Sequence, residues 1–166
     1  FDEFKKALST SKPSIFFEIL RKANILDVHF KEIYDLIGKT QPEKHHPEGD
    51  SYNHTMIVVD NAAKLTDDLI IRFSALVHDF GKGVTKKEML PHHYGHDIKG
   101  VELVEKFGRR LKIPRNWIKC GKLSAKEHML GGIFNKMTAP KQVDFIERVS
   151  KSKLGLDGMK IVVLSD

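Results

Sequence analysis

The sequence predicts an all-α fold, an orthogonal bundle of short helices, on three observations. Nearly every apolar run repeats at three- and four-residue spacing, which marks one buried face of a helix. Pro, Gly, Ser, Thr and Asp stand at the ends of those runs, where they start or stop helices. No two segments alternate as a strand pair, and there is neither an internal repeat nor a low-complexity stretch.

The elements follow in order. Pro13 suits a first helical turn with Ser11 as its cap, and Ile15, Phe16, Ile19 and Leu20 make one apolar face up to Ala23. Phe30, Ile33, Tyr34 and Ile37 repeat the pattern, and Gly38 stops it. A polar connector with two prolines runs from Lys39 to Tyr52 and includes His45 and His46. The next helix begins near Ser51 or Asn53 and runs to Leu65, with Ile57, Val58, Ala62 and Leu65 inward and His54 on the same face. Thr66 caps a helix that carries Asp67 and Asp68 in its first turn. Ile70, Phe73, Leu76 and Val77 take that helix to Phe80, and Gly81 and Gly83 end it, so His78 and Asp79 fall in its last turn. A loop from Lys82 to about Gly95 leads to a helix from His96 to Leu111, with Ile98, Val101, Val104, Phe107 and Leu111 inside. Pro114 opens a segment with Trp117, Ile118, Leu123 and His128, broken by Gly131-Gly132. Two further helical patterns cover about Pro140 to Val149 and Gly158 onward. Ile161 to Leu164 has the length of a buried strand, but a helix suits its helical company better.

The 166 residues suffice for one domain with a real core, and 40% apolar and 30% charged residues are ordinary for a globular protein. A net charge of +6 favours an anionic partner, phosphate or RNA; a lysine-rich solvated surface accounts for it equally well. The single Cys120 excludes an internal disulfide and a multi-cysteine zinc site and fits a reducing, cytoplasmic setting. No signal peptide and no apolar run of roughly 18 residues is present, so no membrane span is expected. The chain opens at Phe1 and closes at Asp166 after an apolar stretch, so it reads as a piece of something longer.

The chemistry concentrates in the histidines. Eight of the nine lie between positions 45 and 128. His78 and Asp79 are adjacent at a helix end, where the turning backbone lets both reach one ion, and His54 joins them if its helix packs alongside. Separated His and Asp ligands that leave coordination positions open usually hold a hydrolytic metal, not a structural one. The bland alternative is a hydrogen-bonded core histidine and an accidental dipeptide. In Asp79-Phe80-Gly81-Lys82-Gly83 the glycines permit a sharp turn, and Lys82 sets a positive charge where phosphate charge would grow. His93 and His96 stand three apart near a helix start. A second metal would suit them, but phosphate contact or proton transfer suits histidines without nearby carboxylates better. His92 is expected on the surface, and His128 is a weaker candidate for the same pocket. Asp166 is either the last metal ligand or a neighbour of it.

Gln41-Pro-Glu-Lys-His-His-Pro-Glu-Gly-Asp50, His54-Thr, Arg72-Phe-Ser-Ala-Leu-Val-His-Asp-Phe-Gly-Lys-Gly83 and Leu90-Pro-His-His-Tyr-Gly-His96 resemble the HD-domain superfamily of metal-dependent phosphohydrolases. Within it they resemble the HD region of bacterial multifunctional tRNA nucleotidyltransferases, the CCA-adding enzymes. Phe16-Phe17-Glu18-Ile19-Leu20-Arg21 and Glu127-His128 are similar to that family too. The resemblance covers essentially the whole chain, is strong over 41–100 and thins after Pro114. It implies an HD-type bundle, with 1–40 as a helical lead-in and 41–166 as the phosphohydrolase domain. It implies phosphatase, 2'-nucleotidase and 2',3'-cyclic phosphodiesterase activities supported by nickel, magnesium, manganese or cobalt. By motif position His54, His78 and Asp79 are metal ligands, and Lys82, His93 and His96 belong to the pocket. The expected substrates are nucleotides or RNA-terminal phosphates, with tRNA as a partner. The chain lacks the Gly-Ser and paired aspartates of the nucleotide-adding head, so it cannot itself add CCA. A non-catalytic tRNA-binding or spacer module with a relic site, and a structural metal domain, stand as alternatives.

Overall fold

The computed structural model describes residues 1–44 and 47–166; the expectations that touch His45 and His46 lie outside the described residues. Ten α-helices make the all-α bundle that the sequence predicts, and among the described residues the only β pairing is one bridge between Thr40 and Asp50. They are α1 Asp2–Ser9, α2 Ser14–Lys22, α3 Leu26–His29, α4 Lys31–Tyr34, α5 Ser51–Leu65, α6 Leu69–Val77, α7 His96–Arg110, α8 Arg115–Gly132, α9 Ala139–Ser150 and α10 Gly155–Ser165. A 3-10 turn, Phe80–Val84, joins α6 to the loop before α7. No helix among the described residues is long and apolar enough to cross a membrane.

The main core is aromatic. Phe4 of α1 sits against Phe17, Phe30, Phe73 and Phe107, with ring centroids 5.7–6.3 Å apart. Tilted and edge-on contacts of this kind add about 0.5–1.5 kcal/mol each beyond the area they bury. The residues before position 40 therefore share one core with α6, α7 and α8. The ends of that core are closed by polar clamps. Asp60 of α5 accepts from Ser14 N–H at 2.9 Å and from Ser14 Oγ–H at 2.7 Å, so a distant carboxylate caps α2 in place of Ser11. Buried Arg72 of α6 donates to the carbonyls of Leu8, Thr10, Ala63 and Thr66 and to Asp67, which ties the ends of α1 and α5 to the start of α6.

Several local expectations need correction. Thr66 closes α5, and Asp68 caps α6, its carboxylate accepting from Ile70 N–H at 2.8 Å. Gly38 does stop the α4 region, in the left-handed conformation that suits glycine, with φ 74°. Helical spacing also selects too much core: Ile15, Ile19, Tyr34, Ile37, Ile57, Leu65 and Ile98 are exposed, while Phe17, Leu36 and Val59 are buried. Each of these helices meets its neighbours over a stripe narrower than its apolar face. Helix α6 stops at Val77, with His78 as its C-cap, and Gly131-Gly132 belongs to the end of α8.

Gly81 matters for a close approach, not for a sharp turn. Its φ is not positive, but a Cβ there would lie 1.8 Å from the carbonyl oxygen of His96. The 3-10 turn thus lies directly on the first turn of α7, which brings His96 beside Asp79. Helix α10 packs on α5, α6 and α8 and carries the last residue back to the same place.

Candidate metal centre

Five elements converge on Asp79. Helix α5, capped by Asp50 at 2.9 Å from Asn53 N, brings His54 in on its buried side. The His54 ring faces Glu48 Oε1 with Nδ1 at 2.7 Å and Asp166 Oδ1 with Nε2 at 2.8 Å. At the end of α6, His78 Nδ1 donates to the Ala75 carbonyl at 2.7 Å, one of the carbonyls a helix C-terminus leaves without an intrahelical partner. That bond fixes the tautomer and turns Nε2 toward Asp79 Oδ2 at 3.3 Å and Asp166 Oδ1 at 3.4 Å. The two oxygens are within Coulombic reach but out of line for a hydrogen bond.

Two more imidazoles repeat the device from the other side. His96 Nδ1 donates to the His93 carbonyl at 2.7 Å, which leaves Nε2 3.4 Å from Asp79 Oδ1. His128 Nδ1 donates to the carbonyls of Ser124 and Ala125 at 3.1 Å, which leaves Nε2 3.5 Å from the same oxygen. One carboxylate thus has His54, His78 and Lys82 on one oxygen and His96 and His128 on the other. The Lys82 ammonium lies 2.5 Å from Asp79 Oδ2 and also donates to the buried Gln41 side chain.

The electrostatics reflect this crowding. Burial works against the charged form of His78, but Asp79 and Asp166 outweigh it and hold its pKa well above the usual imidazole range. Burial works against the Asp79 carboxylate too, and Lys82 and His78 reverse it, so Asp79 stays ionised far below the usual carboxylate range. Asp166 is lowered in the same way, burial being overcome by His54 and His78. His96 is pushed down, chiefly by burial, and favours its neutral form.

A cation fits this donor set on an observation independent of any motif. His78 Nε2, both oxygens of Asp79 and His96 Nε2 are buried and make no aligned hydrogen bond, although Lys82 and the imidazoles stand at ion-pair distance from Asp79. Buried polar atoms without an aligned partner are costly, and these lie 3.3–3.4 Å from one another. Among the described residues, two sets have ligand atoms close enough to hold a metal ion: His54, His78 and Asp166, and His78, Asp79 and His128.

The residues singled out in the sequence fall as follows. His54, His78 and Asp79 come together, and Asp166 joins them at ligand distance. Lys82 and His96 line the same cluster. His93 is fastened in its loop: Nδ1 pairs with Thr85 Oγ1 at 2.8 Å and Nε2 with the Thr40 carbonyl at 3.0 Å, so both ring nitrogens face protein. His92 is exposed, as expected. His128 is as close to Asp79 as His96 is, nearer than its sequence context suggested. Gln41 and Glu48 lie in the stretch that carries the resemblance, but sequence reasoning gave neither a role. The available signal was weak: polar residues in a loop just ahead of the capped helix that carries His54. Glu127, next to His128, turns away and pairs with Arg148 of α9 at 3.0 Å.

The HD domain family model matches residues 51–144, more than half of the chain. The matched stretch carries His54, His78, Asp79, Lys82, His96 and His128. The Multifunctional CCA protein of Shewanella denitrificans is 44% identical over 126 residues, which make up 76% of this chain and 30% of that protein. The chain thus spans under a third of the length of that relative. With its all-α bundle and a buried His/Asp cluster fit for a cation, this chain belongs to the HD domain family of metal-dependent phosphohydrolases.

Proposed function

We propose that this hydrolase acts on nucleotides or RNA-terminal phosphates, as a phosphatase and 2',3'-cyclic phosphodiesterase, and forms the HD part of a tRNA nucleotidyltransferase-like protein. The observation that carries the reading is the cluster of buried imidazoles and carboxylates that meet at Asp79 without aligned hydrogen bonds, with Lys82 and His96 also lining an adjoining cleft of about 420 Å³. That volume is within the range of small-molecule sites. His54, His78, Asp79 and Asp166 would hold a divalent ion of the nickel, magnesium, manganese or cobalt kind. Such an ion supplies Lewis acidity, which activates water and polarises a phosphoryl group.

The protein's own groups do the rest. Lys82 is held between Asp79 and Gln41, so its charge stays in place as negative charge grows on phosphate oxygens. His96, with its proton fixed on Nδ1, presents an unprotonated Nε2 that would take a proton from the attacking water and return it to the leaving oxygen as the phosphorus–oxygen ester bond breaks. His93 braces the loop that carries His96 through Thr85 and Thr40, so proton transfer is assigned to His96 and not to His93.

The test is metal analysis of the purified protein together with a panel of 2'-nucleotides, 2',3'-cyclic nucleotides and simple phosphate esters under each ion. His78→Ala and Asp79→Ala should abolish hydrolysis while the helical circular dichroism survives. Full activity in either variant after chelation and refilling rejects the assignment.

A second reading is a tRNA-contacting module. It is favoured by a groove at the α7–α8 corner lined by Arg109, Lys112, Arg115, Lys119 and Lys122, against Glu105 alone. It predicts tRNA binding that weakens steeply with salt, with no hydrolysis under any ion.

A further inference from the structure

The loop before α7 puts its side chains alternately on two sides. His93 goes inward and is fastened at both ring nitrogens, to Thr85 and Thr40. Gly95, at φ 70°, then reverses the chain so that His96 turns in toward Asp79. The residues between and before, Tyr94 and His92, are left outside. Their rings are nearly parallel, 24° apart in plane, with centroids 5.7 Å from each other. Tyr94 is 69% exposed, the most exposed large hydrophobic side chain among the described residues. The pair is part of the wall of the same cleft that Lys82 and His96 line.

An exposed aromatic pair would ordinarily mean little. Here it is preformed, because His93, which separates the two in sequence, is anchored to Thr85 and Thr40 and fixes the backbone on which both rings stand. It also shares a cleft with the groups that face the phosphate. A flat π-face beside a phosphate site has the chemistry of base recognition: stacking accepts any base and needs no hydrogen-bond code.

We propose that Tyr94, backed by His92, is the stacking platform for the base of a nucleotide substrate. The cleft would then bind a nucleoside phosphate by its base on Tyr94 and by its phosphate near Lys82 and His96. This rests on the phosphohydrolase reading for its phosphate end only; base stacking is measurable without turnover.

The experiment uses 2-aminopurine riboside monophosphate, whose fluorescence is quenched when the base stacks, and ribose phosphate as the probe without a base. Binding is followed with the full chain in the presence of manganese and again in chelator. The wild type should quench the base and bind it more tightly than ribose phosphate. Tyr94→Ala should weaken binding of the base-bearing probe roughly 5- to 150-fold and remove the quench. Binding of ribose phosphate should not move, and Tyr94→Phe should restore the wild-type result. Equal affinity of wild type and Tyr94→Ala, or no preference of the wild type for the base-bearing probe, overturns the proposal. Hydrolysis of glycerol phosphate by Tyr94→Ala reports separately on the metal centre. If it persists while stacking fails, only the platform is wrong; if stacking holds and no ester is cleaved, only the hydrolase reading is wrong.

Discussion

Helix α6 has a buried polar cluster at each end, and the two are built on opposite principles. At its start Arg72 is 2% exposed, and each of its five N–H donors has an acceptor. Six residues later, about 9 Å along the axis, His78 and Asp79 are buried just as deeply, yet their polar atoms stand at ion-pair distance from one another without aligned hydrogen bonds. The first cluster is complete, and anything added would break a bond already made. The second leaves imidazole nitrogens and carboxylate oxygens facing one another without aligned bonds, a donor set that a cation can join once the ring proton leaves. Burial therefore does not separate a structural site from a ligand site; the completeness of its hydrogen bonds does.

The contrast breaks most sharply at Arg72. Arg72→Ala strands four carbonyls at the ends of α1 and α5 and leaves a void, so a loss of roughly 3 kcal/mol or more is expected in denaturant titration, each buried carbonyl left without a donor costing about 1–3 kcal/mol. A loss below about 1 kcal/mol would make Arg72 an ordinary surface-type residue and end the comparison.

The other end of α6 should respond to a ligand instead. A divalent ion at about 100 times its dissociation constant should add about 2.7 kcal/mol to stability. Chelation should reverse the gain, and Asp79→Asn, nearly equal in volume, should not show it in thermal melts. The pH dependence sharpens the point. The raised pKa of His78 stabilises the ion-free fold fully below the unfolded value near 6.5, and that contribution is lost as pH rises through the folded value. Ion binding needs the neutral ring, so the ion's stabilisation should grow with pH over the same window. Melts with and without manganese at about pH 6 and about pH 9 measure the difference; a shift that shrinks with pH contradicts the assignment.

The smallest expected effect is at Glu48, whose carboxylate orients the His54 ring through Nδ1. Such outer partners are typically worth 10- to 100-fold in metal affinity. Glu48→Gln should weaken manganese binding by that factor in calorimetric titration and leave the helical content unchanged. Unaltered affinity would show that packing alone orients His54.

Much of the site was legible because its ligands follow local rules. His78-Asp79 adjacency at a helix end, a histidine on the buried side of the preceding helix and a lysine three residues on can all be read from spacing. His128 was harder, since it stands on an amphipathic helix with no local sign of what it faces. Glu48 and Gln41 were not readable, because a polar loop residue acquires a partner only when the loop closes. The exposed Ile15, Ile57 and Ile98 show the same limit on the apolar side: periodicity marks which face can be buried, and the neighbouring helix decides how much of it is.

From its residues alone the chain determined an all-α fold, the order of its helices and the identity of the His-Asp pair, because helical periodicity, caps and adjacent ligands are local properties. Only the tertiary structure decided that Asp166 returns to His54, that His96 and His128 share one oxygen of Asp79, and that His93 braces its loop without facing the centre. Those outcomes depend on how far apart helices pack, as the contact at Gly81 shows, and sequence separation does not encode that distance.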